Sequence, residues 1–131
     1  MYRKALSVVA PWGAAIAAGE KRLEVRSWHP TSLPLLDLVI VENGKRLTQP
    51  EETDPHGLAV ALVDVPSVAP WRPEDAAAAC SAWEPGWVAW SLTNVRPLVP
   101  GVSVEAKRKL YDVWIDPAVL AERLRTCANG S

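Results

Sequence analysis

The chain has no phenylalanine, and its aromatic side chains are mainly seven tryptophans. It also has only two cysteines, two histidines and no apolar run long enough to span a membrane, and each of these three scarcities argues against a class of protein. No stretch approaches the roughly eighteen consecutive apolar residues of a transmembrane helix, so we expect no membrane span. Cys80 and Cys127 lack the spacing of a metal site, and we expect two reduced packing residues. His29 and His56 stand alone in the sequence, so neither a metal nor a cofactor is predicted.

What remains is the composition of one globular domain. Of the 131 residues, 49% are apolar, and the mean hydropathy is near zero. Both values are typical of a folded chain rather than a disordered one. We expect a single domain over residues 1–131. The apolar run over residues 5–10 is too short for the core of a signal peptide, which favours a cytoplasmic protein.

Hydrophobic periodicity and turn residues predict an α+β fold, a small β-barrel of five to six strands with flanking short helices. Two nearly continuous apolar runs, residues 35–42 and 57–65, are typical of strands that are buried on both faces. The predicted strands cover residues 4–9, 22–28, 35–42, 57–65, 87–98 and 107–115. The predicted helices cover residues 11–18, 74–83 and 118–127, and residues 99–104 are predicted as a loop.

One stretch combines a glycine, four charges within six residues and a tryptophan, directly after an alanine-rich run. Gly19 is suited to end the preceding helix in a left-handed conformation, which brings Lys21 to the corner between helix and strand. With a period of two, Glu24, Arg26 and Trp28 share one face of the strand that follows. Neighbours on that face are roughly 7 Å apart, so Glu24 and Arg26 can meet directly or hold a small ligand between them.

Three interpretations of these side chains stay open. In the first, they form a solvated salt bridge on a surface strand, which contributes little to stability. In the second, they bind an unpaired base. Lys21 and Arg26 then attract phosphate, and Glu24 accepts a hydrogen bond from an exocyclic amino group. Trp28 or Trp12 stacks on the same base. In the third, they catalyse hydrolysis, with Glu24 as general base and Lys21 stabilising negative charge.

Three further polar residues are candidates for the same interface. Asn94 can fix a base edge or make a structural hydrogen bond, and Lys107 and Lys109 can extend a phosphate track or lie on a solvated strand start. Charge is unevenly distributed: residues 1–30 carry +3, residues 105–131 carry +1, and those between carry −5. A basic patch therefore forms if the two ends of the chain meet in the fold.

The order of these parts resembles the ASCH domain family of the PUA-like superfamily. The matching features are Leu6-Ser7-Val8, Pro11-Trp12, Gly19-x-Lys21-x-x-Glu24-x-Arg26-Ser27-Trp28, residues 59–65, Trp90-x-Leu92-x-Asn94-Val95 and residues 107–114. They extend over most of the chain, and the Gly-x-Lys-x-x-Glu-x-Arg pattern after an alanine-rich helix is specific. The resemblance implies a PUA-like β-barrel in which this helix and the charged strand form one wall of a cleft.

The resemblance also implies that the partner is RNA or another single-stranded nucleic acid, or a nucleoside-sized ligand. Some members of the family are hydrolases: one branch removes acyl groups from N4-acylated cytidine, and ribonuclease activity is ascribed to another. The amidohydrolase branch has a threonine nucleophile at the position of Glu24, and a carboxylate cannot replace that hydroxyl in the same mechanism. We therefore expect base recognition, with hydrolysis of RNA or of a modified nucleoside through Lys21 and Glu24 as the alternative.

Overall fold

The computed structural model describes the backbone of residues 2–129 and the side chains of residues 2–125. The strands in this part of the chain are β1 (Tyr2–Val9), β2 (Leu23–Arg26), β3 (Leu35–Asn43), β4 (Asp54–Val65), β5 (Val68–Pro70), β6 (Val88–Ser91), β7 (Thr93–Ala106) and β8 (Leu110–Trp114). The helices are α1 (Trp12–Ala17), α2 (Ala76–Ala79), which follows a 3-10 turn (Pro73–Asp75), and α3 (Pro117–Asn129).

The strands form two sheets, and the larger one places both ends of the chain side by side. Its strand order is β7-β4-β3-β1-β8, with β1 parallel to β3 and every other pair antiparallel. The strand β1 lies between β3 and β8: its Val9 pairs with Asn43 of β3, and its Leu6 pairs with Leu110 of β8. The smaller sheet has the order β2-β6-β5, and Glu24 pairs with Trp90 in it.

Both faces of the larger sheet are buried, which explains the continuous apolar runs in β3 and β4. Val39 of β3 packs into one cluster with Leu120 of α3. Its neighbour Ile40 packs into a second cluster with Ile16 of α1 and Trp90 of β6. The helix α3 therefore covers one face, and α1 together with the smaller sheet covers the other. This second layer is the one that carries the charged strand β2.

The predicted α+β class is confirmed, with differences in strand number and closure. The structure has eight strands rather than five to six, and their pairings over residues 2–129 give two sheets without closing a barrel. The barrel thus stays a prediction. The predicted helix after Pro11 is present, and Gly19 follows its end with a φ of +79°. Only glycine adopts that left-handed conformation without cost.

The predictions for residues 74–104 were right in the order of helix and strand and wrong in their bounds. The strand expected over residues 87–98 breaks at Leu92, whose N–H donates to the carbonyl of Arg22, and its two halves join different sheets. Residues 99–104 are strand rather than loop. Because β7 is an edge strand, its prolines remove no hydrogen bond that the sheet needs. The helix expected over 74–83 ends at Cys80, which has a φ of +56°.

Several expectations concern features outside the fold itself. Cys80 is a free thiol, whereas the side chain of Cys127 lies outside the described residues. Within residues 2–129, no helix has the length and apolar character needed to cross a membrane. Among the side chains of residues 2–125, no three histidine, cysteine or acidic groups converge as metal ligands do.

Candidate nucleic-acid interface

A cavity of about 870 Å³ lies beside the C-terminal end of β1 and the strand β2. The start of α1, the loop after β3, the residues after α2 and the turn between β7 and β8 complete its walls. The sheet order brings these segments together, because β3 and β8 both pair with β1. Seven lining residues are lysine or arginine and two are glutamate, so the cavity is strongly basic.

Backbone hydrogen bonds fix the position of Lys21 at the entrance to β2. The N–H groups of Glu20 and Lys21 both donate to the carbonyl of Ala15 in α1, at 2.9 and 3.2 Å. The N–H of Arg22 donates to the carbonyl of Ala78 in α2, at 2.8 Å. The first residues of the charged stretch are therefore held between two helix ends, and the alternation of β2 then sets the direction of the side chains that follow.

The side chains of Lys21, Glu24 and Arg26 form a compact, largely buried group, which we call the charged triad. Lys21 is 6% exposed and Glu24 is 7% exposed. The Lys21 Nζ lies 3.8 Å from Glu24 Oε1, and Arg26 Nη2 lies 3.4 Å from Glu24 Oε2. Lys21 also donates to the carbonyl of Ala79, and Arg26 donates to the carbonyl of Ser7 at 2.8 Å. Each cation thus has a carboxylate and a backbone carbonyl as partners.

Two consequences follow from the geometry of the charged triad. The interpretation as a solvated surface ion pair is wrong, because Lys21 and Glu24 are buried. The carboxylate of Glu24 has about four lone-pair positions, and it accepts hydrogen bonds from the N–H of Val25 at 3.1 Å and from Arg26 at 3.4 Å. The ammonium of Lys21, at 3.8 Å, is an ion-pair contact beyond hydrogen-bond distance. These two hydrogen bonds do not use all the acceptor positions of a side chain that lines the cavity.

Both candidate stacking residues, Trp12 and Trp28, line the cavity, and a lysine lies over each ring. Trp12 is 38% exposed, and Lys21 Nζ is 5.9 Å from its ring centroid. Trp28 is half-buried and packs edge-on against Trp90, with the centroids 4.9 Å apart. Lys109 Nζ lies 5.8 Å from the centroid of Trp28. A base that stacks on Trp28 must therefore compete with an ammonium group that already occupies the ring.

The rim of the cavity is basic on two sides, and one side was missed in the sequence. Lys107 and Lys109, both candidates from the sequence, line the cavity together with Arg108. Lys45 and Arg46 line it as well. They follow the Asn-Gly turn at the end of β3, inside the most acidic part of the chain. The sequence feature that could have identified Lys45 and Arg46 is that they are two adjacent basic residues directly after a strong turn signal.

Asn94 does not line the cavity. Its φ is +48°, and its side-chain amide donates to Asp64 at 2.9 Å. Asp64 also accepts from the N–H of Asp37 at 3.0 Å and from Arg96 at 2.8 Å. These hydrogen bonds, first that of the Asp37 N–H and then that of Asn94, hold the pKa of Asp64 below its ordinary value. Asn94 therefore belongs to a structural network, which corrects its assignment to the cleft.

Tyr111 supports the cavity wall from behind. Its hydroxyl is 2.8 Å from the hydroxyl of Ser7, the residue whose carbonyl accepts from Arg26. Burial raises the pKa of Tyr111 above the ordinary value of 10.0, and the hydrogen bond to Ser7 offsets part of that effect. The phenol therefore stays neutral through physiological pH and can donate or accept within this pair.

A sequence model of the ASCH domain matches residues 6–101, which include the second half of β1, the charged triad and most of β7. A search of curated proteins finds no significant match. The matched range covers most of the cavity walls, whereas the turn with Lys107, Arg108 and Lys109 lies beyond it.

Proposed function

Because the chain belongs to the ASCH domain family, a PUA-like domain suggested to bind RNA, we propose that its basic cavity binds single-stranded RNA and recognises one unpaired base. The observation that carries this proposal is the position of Glu24. It is a buried carboxylate in the wall of a cavity, and the other charged residues of that wall are seven lysines and arginines and the exposed Glu84. Such a group is an unusual acceptor in a site that attracts polyanions.

The chemistry of Glu24 favours a base with an exocyclic amino group. A carboxylate is an acceptor only, and cytosine and adenine present N–H donors on their amino groups. Lys21 and Arg26 hold the carboxylate in place through contacts on both of its oxygens. The charged triad is therefore preorganised to accept a hydrogen bond, and a base with only carbonyl groups at that edge gains nothing from it.

Trp12 supplies the aromatic surface of this proposal. It is the most exposed of the four indoles that line the cavity, and it lies next to Lys21. Stacking of one base on an aromatic side chain contributes about 1–3 kcal/mol in alanine substitutions. Trp28 is the second choice, because it is less exposed than Trp12 and Trp90 packs edge-on against its ring, whereas a lysine lies over both rings.

Hydrolysis of RNA or of a modified nucleoside is the alternative function, and one contact favours it. The ammonium of Lys21 lies 3.8 Å from the carboxylate of Glu24, so a base and a charge-stabilising group are adjacent in the cavity. The family itself is suggested to bind RNA. Binding without turnover is therefore the primary proposal.

Fluorescence anisotropy with a labelled single-stranded RNA of mixed sequence tests the binding proposal. The wild type should bind it better than the duplex form. Trp12→Ala should raise Kd by roughly 5- to 150-fold, the equivalent of one lost stacking contact. The matched control is Trp114→Ala, which removes an indole that is 57% exposed and does not line the cavity. Equal affinity of the two variants and the wild type would contradict the proposal.

Glu24→Gln separates recognition from catalysis, provided that both proteins are compared at a temperature where both are folded. If Glu24 recognises a base, the variant should lose its preference for amino-bearing bases, since glutamine can donate as well as accept. If Glu24 is a general base, turnover of RNA should instead fall by roughly 10²–10⁴-fold, with binding nearly unchanged. Release of acetate from N4-acetylcytidine by the wild type would overturn the expectation that Glu24 blocks the threonine mechanism.

A further inference from the structure

The seven cations of the cavity differ in whether their charge is already compensated. Lys21 and Arg26 belong to the charged triad. Lys45 is 3.4 Å from the carboxylate of Glu52, and Lys107 is 4.0 Å from that of Glu105. Lys109 lies over the ring of Trp28. Arg46 and Arg108 remain. Neither has a carboxylate within ion-pair distance among the side chains of residues 2–125.

The sheet register puts Arg46 and Arg108 on opposite sides of one strand end. Arg46 follows β3 by three residues, and Asn43, the last residue of β3, pairs with Val9 of β1. Arg108 precedes β8 by two residues, and the first residue of β8 pairs with Leu6 of β1. Because β3 and β8 both neighbour β1, they lie roughly 10 Å apart, twice the spacing of paired strands.

Hydrogen bonds order the loop that carries Arg46. The buried side chain of Asn43 donates to the carbonyl of Lys45. The carboxylate of Glu52 accepts from the N–H groups of Thr48 and Gln49 at 2.9 and 3.2 Å, in addition to its contact with Lys45. Because the loop is already ordered in this way, binding of an anion by Arg46 restricts its side chain but does not add the cost of ordering the loop backbone.

The turn that carries Arg108 is equally defined. Lys109 adopts a φ of +57°, a left-handed conformation that is uncommon for a residue other than glycine. Its side chain packs on Trp28, and Tyr111, two residues further, bonds to Ser7 in the cavity wall. Arg46 and Arg108, which have no carboxylate partner among the described side chains, are thus presented by ordered segments on either side of the C-terminal end of β1.

We propose that Arg46 and Arg108 each bind a phosphate of one single-stranded oligonucleotide, so that the ligand is a phosphodiester strand rather than a free nucleoside. This inference rests on the proposed function. In it, the charged triad binds the base, and the two rim arginines, Arg46 and Arg108, bind the phosphodiester backbone of the oligonucleotide. Arginine suits this task because its guanidinium binds phosphate oxygens in a bidentate manner.

The experiment measures Kd for cytidine, cytidine 5′-monophosphate and a five-nucleotide oligocytidylate at several salt concentrations. The oligonucleotide should bind more tightly than cytidine by roughly tenfold or more for each phosphate contact. Arg46→Ala and Arg108→Ala should each reduce the slope of log K against log salt by about 0.7, and the double variant by about 1.4. Arg46→Lys should restore most of the slope, because it restores the charge. Arg125→Ala is the matched control, since Arg125 is exposed on α3 and does not line the cavity.

The outcomes separate this inference from the proposed function. If cytidine and the oligonucleotide bind equally well and the rim variants change neither, the phosphate assignment is wrong while base recognition stands. If Arg125→Ala lowers the slope as much as the rim variants do, binding is non-specific and the assignment is also wrong. If none of the three ligands binds to the wild type, both this inference and the proposed function are wrong.

Discussion

Replacement of Glu24 by glutamine should destabilise the fold far more than a typical exchange of glutamate for glutamine. The substitution keeps the size of the side chain and removes its charge. In the native protein the carboxylate lies between two cations, and both it and Lys21 are less than a tenth exposed. The variant therefore leaves the buried ammonium of Lys21 without the negative charge of Glu24, although its hydrogen bond to the carbonyl of Ala79 remains.

The magnitude follows from the burial of each partner. Removal of one member of a buried ion pair costs about 3–5 kcal/mol. Here the cost is smaller, because the side chain of Arg26 is 24% exposed and can be hydrated, and because glutamine still accepts one hydrogen bond. We expect a loss of about 2–3 kcal/mol in the free energy of unfolding. For a domain of this length, that loss lowers Tm by about 6–15 °C.

Urea unfolding followed by tryptophan fluorescence measures this loss. Glu84→Gln is the matched control, because Glu84 lines the same cavity but is exposed, and its replacement should change stability by no more than about 0.5 kcal/mol. In combination with Lys21→Met, the loss should be smaller than the sum of the two single losses. If Glu24→Gln is as stable as Glu84→Gln, the charged triad is not a buried, coupled group, and the reasoning is refuted.

Three further predictions concern the surroundings of the site. Gly13→Ala should destabilise the protein by about 1–3 kcal/mol in the same urea assay, because the new β-carbon would lie 2.6 Å from that of Glu42 and push α1 away from β3; an unchanged midpoint would contradict this packing. The lowered pKa of Asp64 contributes stability that is present above its ordinary value of 3.8 and is lost as the pH falls through the folded value. The Tm of Asp64→Asn should consequently fall less than that of the wild type on acidification, and parallel curves would rule out this contribution. In an ultraviolet titration, the raised pKa of Tyr111 predicts a phenolate step above pH 10.0 that Tyr111→Phe lacks, and persistence of that step in the variant would reject the assignment.

The sequence by itself determined those features that depend on neighbours along the chain. A period of two put Glu24 and Arg26 on one face of a strand, and Gly19 ended the helix before it, because both effects follow from local backbone geometry. The apolar runs in β3 and β4 predicted strands that are buried on both faces. The order of the motifs was enough to identify the ASCH family.

The tertiary structure decided every feature that depends on which strands are neighbours. Alternation gave Asn94 a position on a strand, but only the long-range contact with Asp64 turned it into part of a structural network. Arg46 belongs to the acidic middle of the chain, and it reaches the cavity because β3 pairs with β1. The carbonyl partners of Lys21 and Arg26 come from α2 and from β1. Pairing between distant strands is set by burial of the whole sheet, and no local pattern encodes it.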